Sequence, residues 1–211
     1  LWAAQISASI RSSVALGSLS TVFVVGVDGR VHALDSETGV KKWEFWTGAS
    51  SEANPRQSPV VGADGTVRVA TGGGQIMALD GSSGIVKWVY PTGGTIWSPL
   101  ILGADGSTYV GVDVGNRRQL VAIDGSGGRR WVSLLEEGFA GNGSGDVAIG
   151  RKDTLYVTHA SGSGRTWALD ARTGSQIPWP WSVPSGGWSI TVGSGDALFV
   201  SGRRVSAINS R

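Results

Sequence analysis

Residues 33–45 read ALDSETGVKKWEF: an apolar run ends in aspartate, a polar stretch closes on glycine, and a tryptophan follows. An aspartate at the head of a turn can accept backbone N–H bonds from the residues just after it, and a glycine supplies the left-handed backbone that a tight reversal needs. The stretch therefore reads as a hairpin between two strands. It is not unique in the chain. ALDGSSGIVKW occupies 78–88, AIDGSGGRRW 122–131 and ALDARTGSQIPW 168–179, and a fifth copy, AINS, begins at 207. Repetition makes it an architectural joint rather than a local active site.

A second phrase precedes each copy: a Gly-Asp or Gly-Ala-Asp-Gly turn leading into a β-branched strand. It reads GADGTVRVA, GADGSTYVG, GRKDTLYVT and GSGDALFVS, with a degenerate GSLSTVFVV at 17–25. Trp2, Trp43, Trp88, Trp131 and Trp179 stand 41, 45, 43 and 48 residues apart, the period of a four-stranded propeller blade. Each unit parses as strand A (SPVVG and its kin), strand B after the Asp turn, strand C ending in Ala-Leu-Asp, and strand D carrying the tryptophan. Gly39, Gly84, Gly128 and Gly174 are the expected bend positions between C and D. With 34 glycines and no amphipathic helix pattern, the chain reads as all-β.

The pattern resembles the PQQ-like repeat, Ala-Leu-Asp-x-x-Thr-Gly-x-x-x-Trp, of the quinoprotein alcohol dehydrogenases and of the propeller lipoprotein of outer-membrane assembly. The resemblance covers nearly the whole chain. It implies a β-propeller of four-stranded antiparallel blades in which Trp43, Trp88 and Trp131 lie between blades. It also implies a bacterial periplasmic or extracellular setting.

The expected organisation is a single domain over 1–211, with units at about 12–43, 57–90, 98–134 and 145–183. A fifth, 188–211, would be completed by residues 1–7 acting as its strand D, closing a five-bladed ring that leaves no exposed edge. Pairing of 1–6 with 203–208 is the signature of that closure. Because propellers of the resembled family have seven or eight blades, a piece of a larger ring is the alternative. Leu1 reads as the start of a processed or trimmed chain.

A formal charge of +2 gives nucleic acid little to hold, and the apolar runs fall far short of the roughly 20 residues that span a bilayer. Without cysteine there is no disulfide framework or thiolate metal site. Asp35, Asp80, Asp124 and Asp170 belong to C-to-D turns, and Asp64, Asp105, Asp153 and Asp196 to A-to-B turns. Asp28 and Asp113 fall in B-to-C hairpins, which leaves Asp146, at the start of an innermost strand, as the carboxylate that could face a channel. His32 and His159 share no metal-ligand spacing and read as packing or surface residues. GNGSGD at 141–146 lacks the carboxylates of a calcium loop. The arginine pairs 117–118, 129–130 and 203–204 read as solvated hairpin charges. The sequence thus predicts no catalytic residue, metal or cofactor, and PQQ binding is disfavoured by the absence of cysteine and the placement of the glutamates.

Variation concentrates in the D-to-A loops, SASIR, TGASSEANPRQ, TGGTIW, EEGFAGNGSG and VPSGGW, which open on one face of a propeller. They bring Arg11, Arg56, Trp97, Phe139 and Trp188 together with Asp146 as candidate binding residues, since aromatic and arginine side chains dominate binding hot spots. The expectation is a monomeric, non-enzymatic scaffold for a protein partner or ligand. Alternatives are a lectin-like propeller using Trp97 and Trp188, capping of the core by those same rings, and a quinone-binding enzyme domain.

Overall fold

The apolar runs form strands because β-branched residues pack best on a pleated, buried surface. A computed structural model describes residues 1–18, 20–48, 58–137, 145–159, 166–178, 189–193, 197–202 and 205–209. Five antiparallel sheets follow the repeat. The first is β1 (Ala15–Gly17), β2 (Thr21–Val25), β3 (Arg30–Asp35) and β4 (Lys41–Trp46) in sequence order. The second is β5 (Val60–Val61), β6 (Thr66–Ala70), β7 (Gln75–Asp80) and β8 (Val86–Pro91). After β9 (Thr95–Ile96), the third contains β10 (Ile101–Leu102), β11 (Thr108–Val114), β12 (Arg117–Ile123) and β13 (Arg129–Glu137). The fourth is β14 (Gly145–Ile149), β15 (Thr154–His159), β16 (Thr166–Asp170) and β17 (Gln176–Ile177), with a 3-10 turn at Arg151–Asp153. The fifth has three strands among the described residues, β18 (Ser189–Val192), β19 (Ala197–Ser201) and β20 (Val205–Asn209). This is the four-stranded meander of a β-propeller blade.

Two compact units emerge, residues 1–96 with 125–128, and residues 97–124 with 129–211. In the first, Phe23, Val25, Val31 and Ala33 of one sheet bury against Val67, Val69, Met77 and Leu79 of the next. In the second, Tyr109, Leu120 and Ala122 pack with Val147, Leu155, Val157 and Leu169.

Three tryptophans dock on the C-to-D turn of the repeat that follows. Trp43 lies across from Ala33, Trp88 from Ala78 and Trp131 from Ala122, so a methyl group opposite leaves the indole free to reach that turn. There the Trp43 Nε1–H donates to the Gly81 carbonyl at 3.0 Å, Trp88 to Gly125 at 2.9 Å and Trp131 to Ala171 at 3.0 Å. In every case the acceptor is the residue after the turn aspartate. Each ring covers the glycine that bends that turn: a methyl at Gly84 would stand 2.8 Å from Trp43, and one at Gly174 2.6 Å from Trp131. At Gly84, φ of +74° adds a second reason for glycine.

The third turn departs from expectation: Gly127, not Gly128, has the left-handed backbone (φ +91°) and carries Trp88. Its turn is one residue shorter between aspartate and tryptophan, which moves the bend forward. In the fourth sheet Ile177 occupies the place opposite Ala168; Trp179 lies outside the described residues.

A strand was expected over residues 1–6, and none forms there. The stretch is held by side chain instead of a backbone ladder. Trp2 sits on Gly39 and donates its Nε1–H to the Ser36 carbonyl at 3.0 Å, repeating the joint made by the other tryptophans.

Trp43→Ala is expected to destabilise the protein by about 3 to 5 kcal/mol, the cost of deleting a large packed aromatic. Trp46, on the same strand but 58% exposed, is the control: Trp46→Ala should change the urea midpoint little.

Candidate functional site: turns, buried arginines and the loop face

The acidic residues are engaged by their own turns. Asp35 Oδ1 accepts the Glu37 and Thr38 amides at 3.1 and 2.9 Å and the Thr38 hydroxyl at 2.9 Å. Asp80 does the same with Ser82 and Ser83, and Asp170 with Arg172 and Thr173. The Thr38 amide and hydroxyl hold the Asp35 carboxyl at about 2. Bonds from the Ser82 and Ser83 hydroxyls push Asp80 down, and the Thr173 amide lowers Asp170. Asp64 and Asp105 accept the Thr66 and Ser107 amides in the A-to-B turns. These carboxylates are ionised acceptors, unsuited to proton donation at neutral pH. Among the described residues no group of three or more His, Cys, Asp or Glu could hold a metal ion, and no helix is long and apolar enough to cross a membrane.

The candidate residues separate on inspection. Arg11 is exposed, just after the Ile10–Gly26 bridge. Asp146 is half-buried on β14, where its Oδ2 accepts the Ser189 hydroxyl at 2.7 Å and the Ile190 amide at 3.2 Å. It ties the innermost strand of the fourth sheet to that of the fifth. Trp97 is 5% exposed, with its ring between the Arg118 guanidinium, 4.6 Å from the ring centroid, and the glycines at 111 and 145. Its indole fills the core and offers no stacking face to solvent. Arg56, Phe139 and Trp188 lie outside the described residues.

Arg118 corrects the reading of the arginine pairs as solvated. It is fully buried, and its Nε and Nη2 grip Asp113 at 2.9 and 2.7 Å. The pair was within reach of the sequence, because a hairpin centred on Gly115 and Asn116 sets Asp113 directly opposite Arg118. Arg130 likewise bonds Asp105 and the Ser107 hydroxyl.

Arg68 is a second buried guanidinium that the sequence reading did not single out. Aligning the repeats puts it where the others carry Phe23, Tyr109, Tyr156 and Phe199. In that seat Phe23 lies 5.7 Å from Trp43 and Tyr109 5.8 Å from Trp131, and Arg68 lies 5.9 Å over Trp88. The planar cation substitutes for an aromatic ring. The same glycine recurs six residues upstream: a methyl at Gly103, Gly150 or Gly193 would meet the ring at 3.1, 2.8 or 2.7 Å, and one at Gly62 would meet Arg68 Nη1 at 3.2 Å. The substitution is imperfect. Arg68 is 1% exposed, its Nε and Nη1 have no hydrogen-bond partner among the described residues, and Asp64 stands 4.0 Å from Nη2. Burial pushes its pKa down.

Residues 27–210 match the model of the family described as outer membrane protein assembly factor BamB. The chain belongs to that family. No curated protein matches by sequence. Among solved structures, BamB from Moraxella catarrhalis is 19% identical, with 96% of this chain and 74% of that chain covered at a TM-score of 0.52. The quinohemoprotein alcohol dehydrogenase from Comamonas testosteroni is 16% identical over 96% of this chain, at a TM-score of 0.67. A europium-containing methanol dehydrogenase is 18% identical over 90% of this chain, at 0.61. The chain spans 43% and 49% of those two dehydrogenases. Family and likeness agree with the PQQ-like repeat read from the sequence.

Arg68→Tyr, restoring the ring found in the other repeats, should raise stability by about 1 to 4 kcal/mol, as replacing a poorly paired buried charge by a well-packed side chain can do. The shift of the urea midpoint measures it.

Proposed function

We propose that the chain is a non-catalytic BamB-type propeller that holds a protein partner on its D-to-A loops in outer-membrane protein assembly. On this reading it works in the bacterial periplasm or at the inner side of the outer membrane. The observation that carries the reading is the deployment of the chemistry-bearing groups. Asp35, Asp80 and Asp170 satisfy their own turns, Asp146 ties two strands, and Asp113 neutralises Arg118. Repeat chemistry of this kind serves the fold, and the loops that the repeat does not specify are left for recognition.

The second reading is a quinone-binding piece of a dehydrogenase, favoured by the likeness to the two dehydrogenases. A sugar-binding propeller loses one of its two proposed stacking platforms, because the Trp97 ring is covered by Arg118.

Two arms distinguish the readings. Affinity-tagged protein incubated with detergent-solubilised outer-membrane assembly complex should retain it, and Arg11→Glu, on an exposed loop, should weaken retention several-fold without lowering stability. Titration with PQQ and Ca²⁺ should leave the tryptophan fluorescence unchanged. Saturable quenching by PQQ with no retention of the complex would overturn the scaffold reading in favour of the enzyme domain.

A further inference from the structure

A groove of about 310 Å³ lies on the first sheet, with residues 4–7 along one wall and His32, Lys41 and Glu44 on the other. His32 is on β3 at the place that Met77 takes in the next repeat, and it is only 2% exposed. Its Nδ1 stands 3.7 Å from Glu44 Oε2, whereas its Nε2 is buried with no hydrogen-bond partner among the described residues. With the Nδ1 proton turned toward that carboxylate, the ring is neutral and Nε2 is a bare acceptor.

We propose that residues 1 to 7 form an acid-released strap over this groove, with His32 as the trigger.

A second proton on His32 would have to sit on Nε2, where no described residue accepts it. The surrounding charges give little relief. Glu44, across from His32 on β4, is already engaged by Lys41 at 2.8 Å and Arg30 at 3.5 Å. Asp28, in the preceding turn, lies 3.5 Å from Arg30. Val24, opposite on β2, is uncharged, and residues 4–7 are Ala, Gln, Ile and Ser. Burial therefore pushes His32 below its ordinary value, and the pull of Glu44 only partly restores it.

The sign follows from linkage. A base whose folded pKa is depressed leaves stability intact above its unfolded value of about 6.5 and erodes it as pH falls below that value. The groove wall with the fewest backbone ties is the one that yields. Residues 1–6 form no strand; the stretch is anchored by Trp2 on Gly39 and Ser36 at one end and by the Val27 amide on the Ser9 carbonyl at the other. Lifting it admits water to Nε2 and leaves the four-stranded ladder of the first sheet untouched.

Hydrogen exchange on the intact chain at pH 7.5 and 5.0, expressed as protection relative to intrinsic rates, tests this. Protection of the Trp2 indole N–H, which ties the strap to the Ser36 carbonyl, should fall several-fold at the lower pH while the β6 and β7 amides hold theirs. His32→Met, the residue of the next repeat, should abolish the fall. On the unmutated chain, the His32 imidazole followed by NMR should titrate with the same midpoint as strap opening. Undiminished protection at pH 5.0, an equal fall in His32→Met, or a midpoint more than one pH unit away from opening would each overturn the proposal.

Discussion

The packing of the first four repeats rests on an indole seated on a glycine of the following turn. A four-stranded sheet buries neither face by itself, so a blade needs a neighbour against which its core residues interdigitate. The tryptophan joint supplies a tie to that neighbour. It combines a large apolar contact with one directional hydrogen bond to a backbone carbonyl that the turn leaves free. Two features recur beneath every such ring, a glycine and an aspartate at the head of the turn, and for Trp43, Trp88 and Trp131 an alanine lies across the sheet as well. This is why the motif is so long and so repetitive. The first instance, Trp2 on Gly39, shows that the joint forms without a strand beneath it.

A second layer of contacts rests on the first. Each inter-sheet indole is backed, in its own sheet, by a planar side chain on strand B, and a glycine six residues upstream makes room for that plane. Phe23 and Tyr109 fill the seat at the cost of no polar atom left behind, since the Tyr109 hydroxyl donates to the Ala171 carbonyl at 3.2 Å. Arg68 has the right shape and too many donors. Shape selects here before polarity does. The same preference explains Arg118, which lies flat on Trp97 and is made tolerable by its two bonds to Asp113.

Much of this was legible beforehand because the repeat states it several times. Asp35, Asp80 and Asp170 were readable as turn acceptors from turn chemistry, and Trp43, Trp88 and Trp131 as inter-blade wedges from the resemblance to the PQQ-like repeat. Burial of a charge was not. Nothing in the composition marks Arg118 as buried, and only the hairpin register, which joins it to Asp113, carries the information. Trp97 was ambiguous for a related reason: a tryptophan before an inner strand can face either water or core, and a glycine at 111, distant in sequence, decides the matter. Residues 1–6 resembled a strand because they carry the strand's tryptophan; side-chain docking and ladder pairing are separable, and sequence shows only the former. The loops on which recognition would depend follow no repeat, so no internal comparison informs them.

The most direct test of the joint is a double-mutant cycle between Trp43 and Gly84, read by equilibrium urea unfolding. Gly84→Ala in the native background meets both an unfavourable φ and the indole ring; in the Trp43→Ala background it meets only the former. The two substitutions should therefore couple, with the glycine change costing at least about 1 kcal/mol less once the ring is gone. Costs that simply add would contradict the claim that this glycine is the seat of that tryptophan.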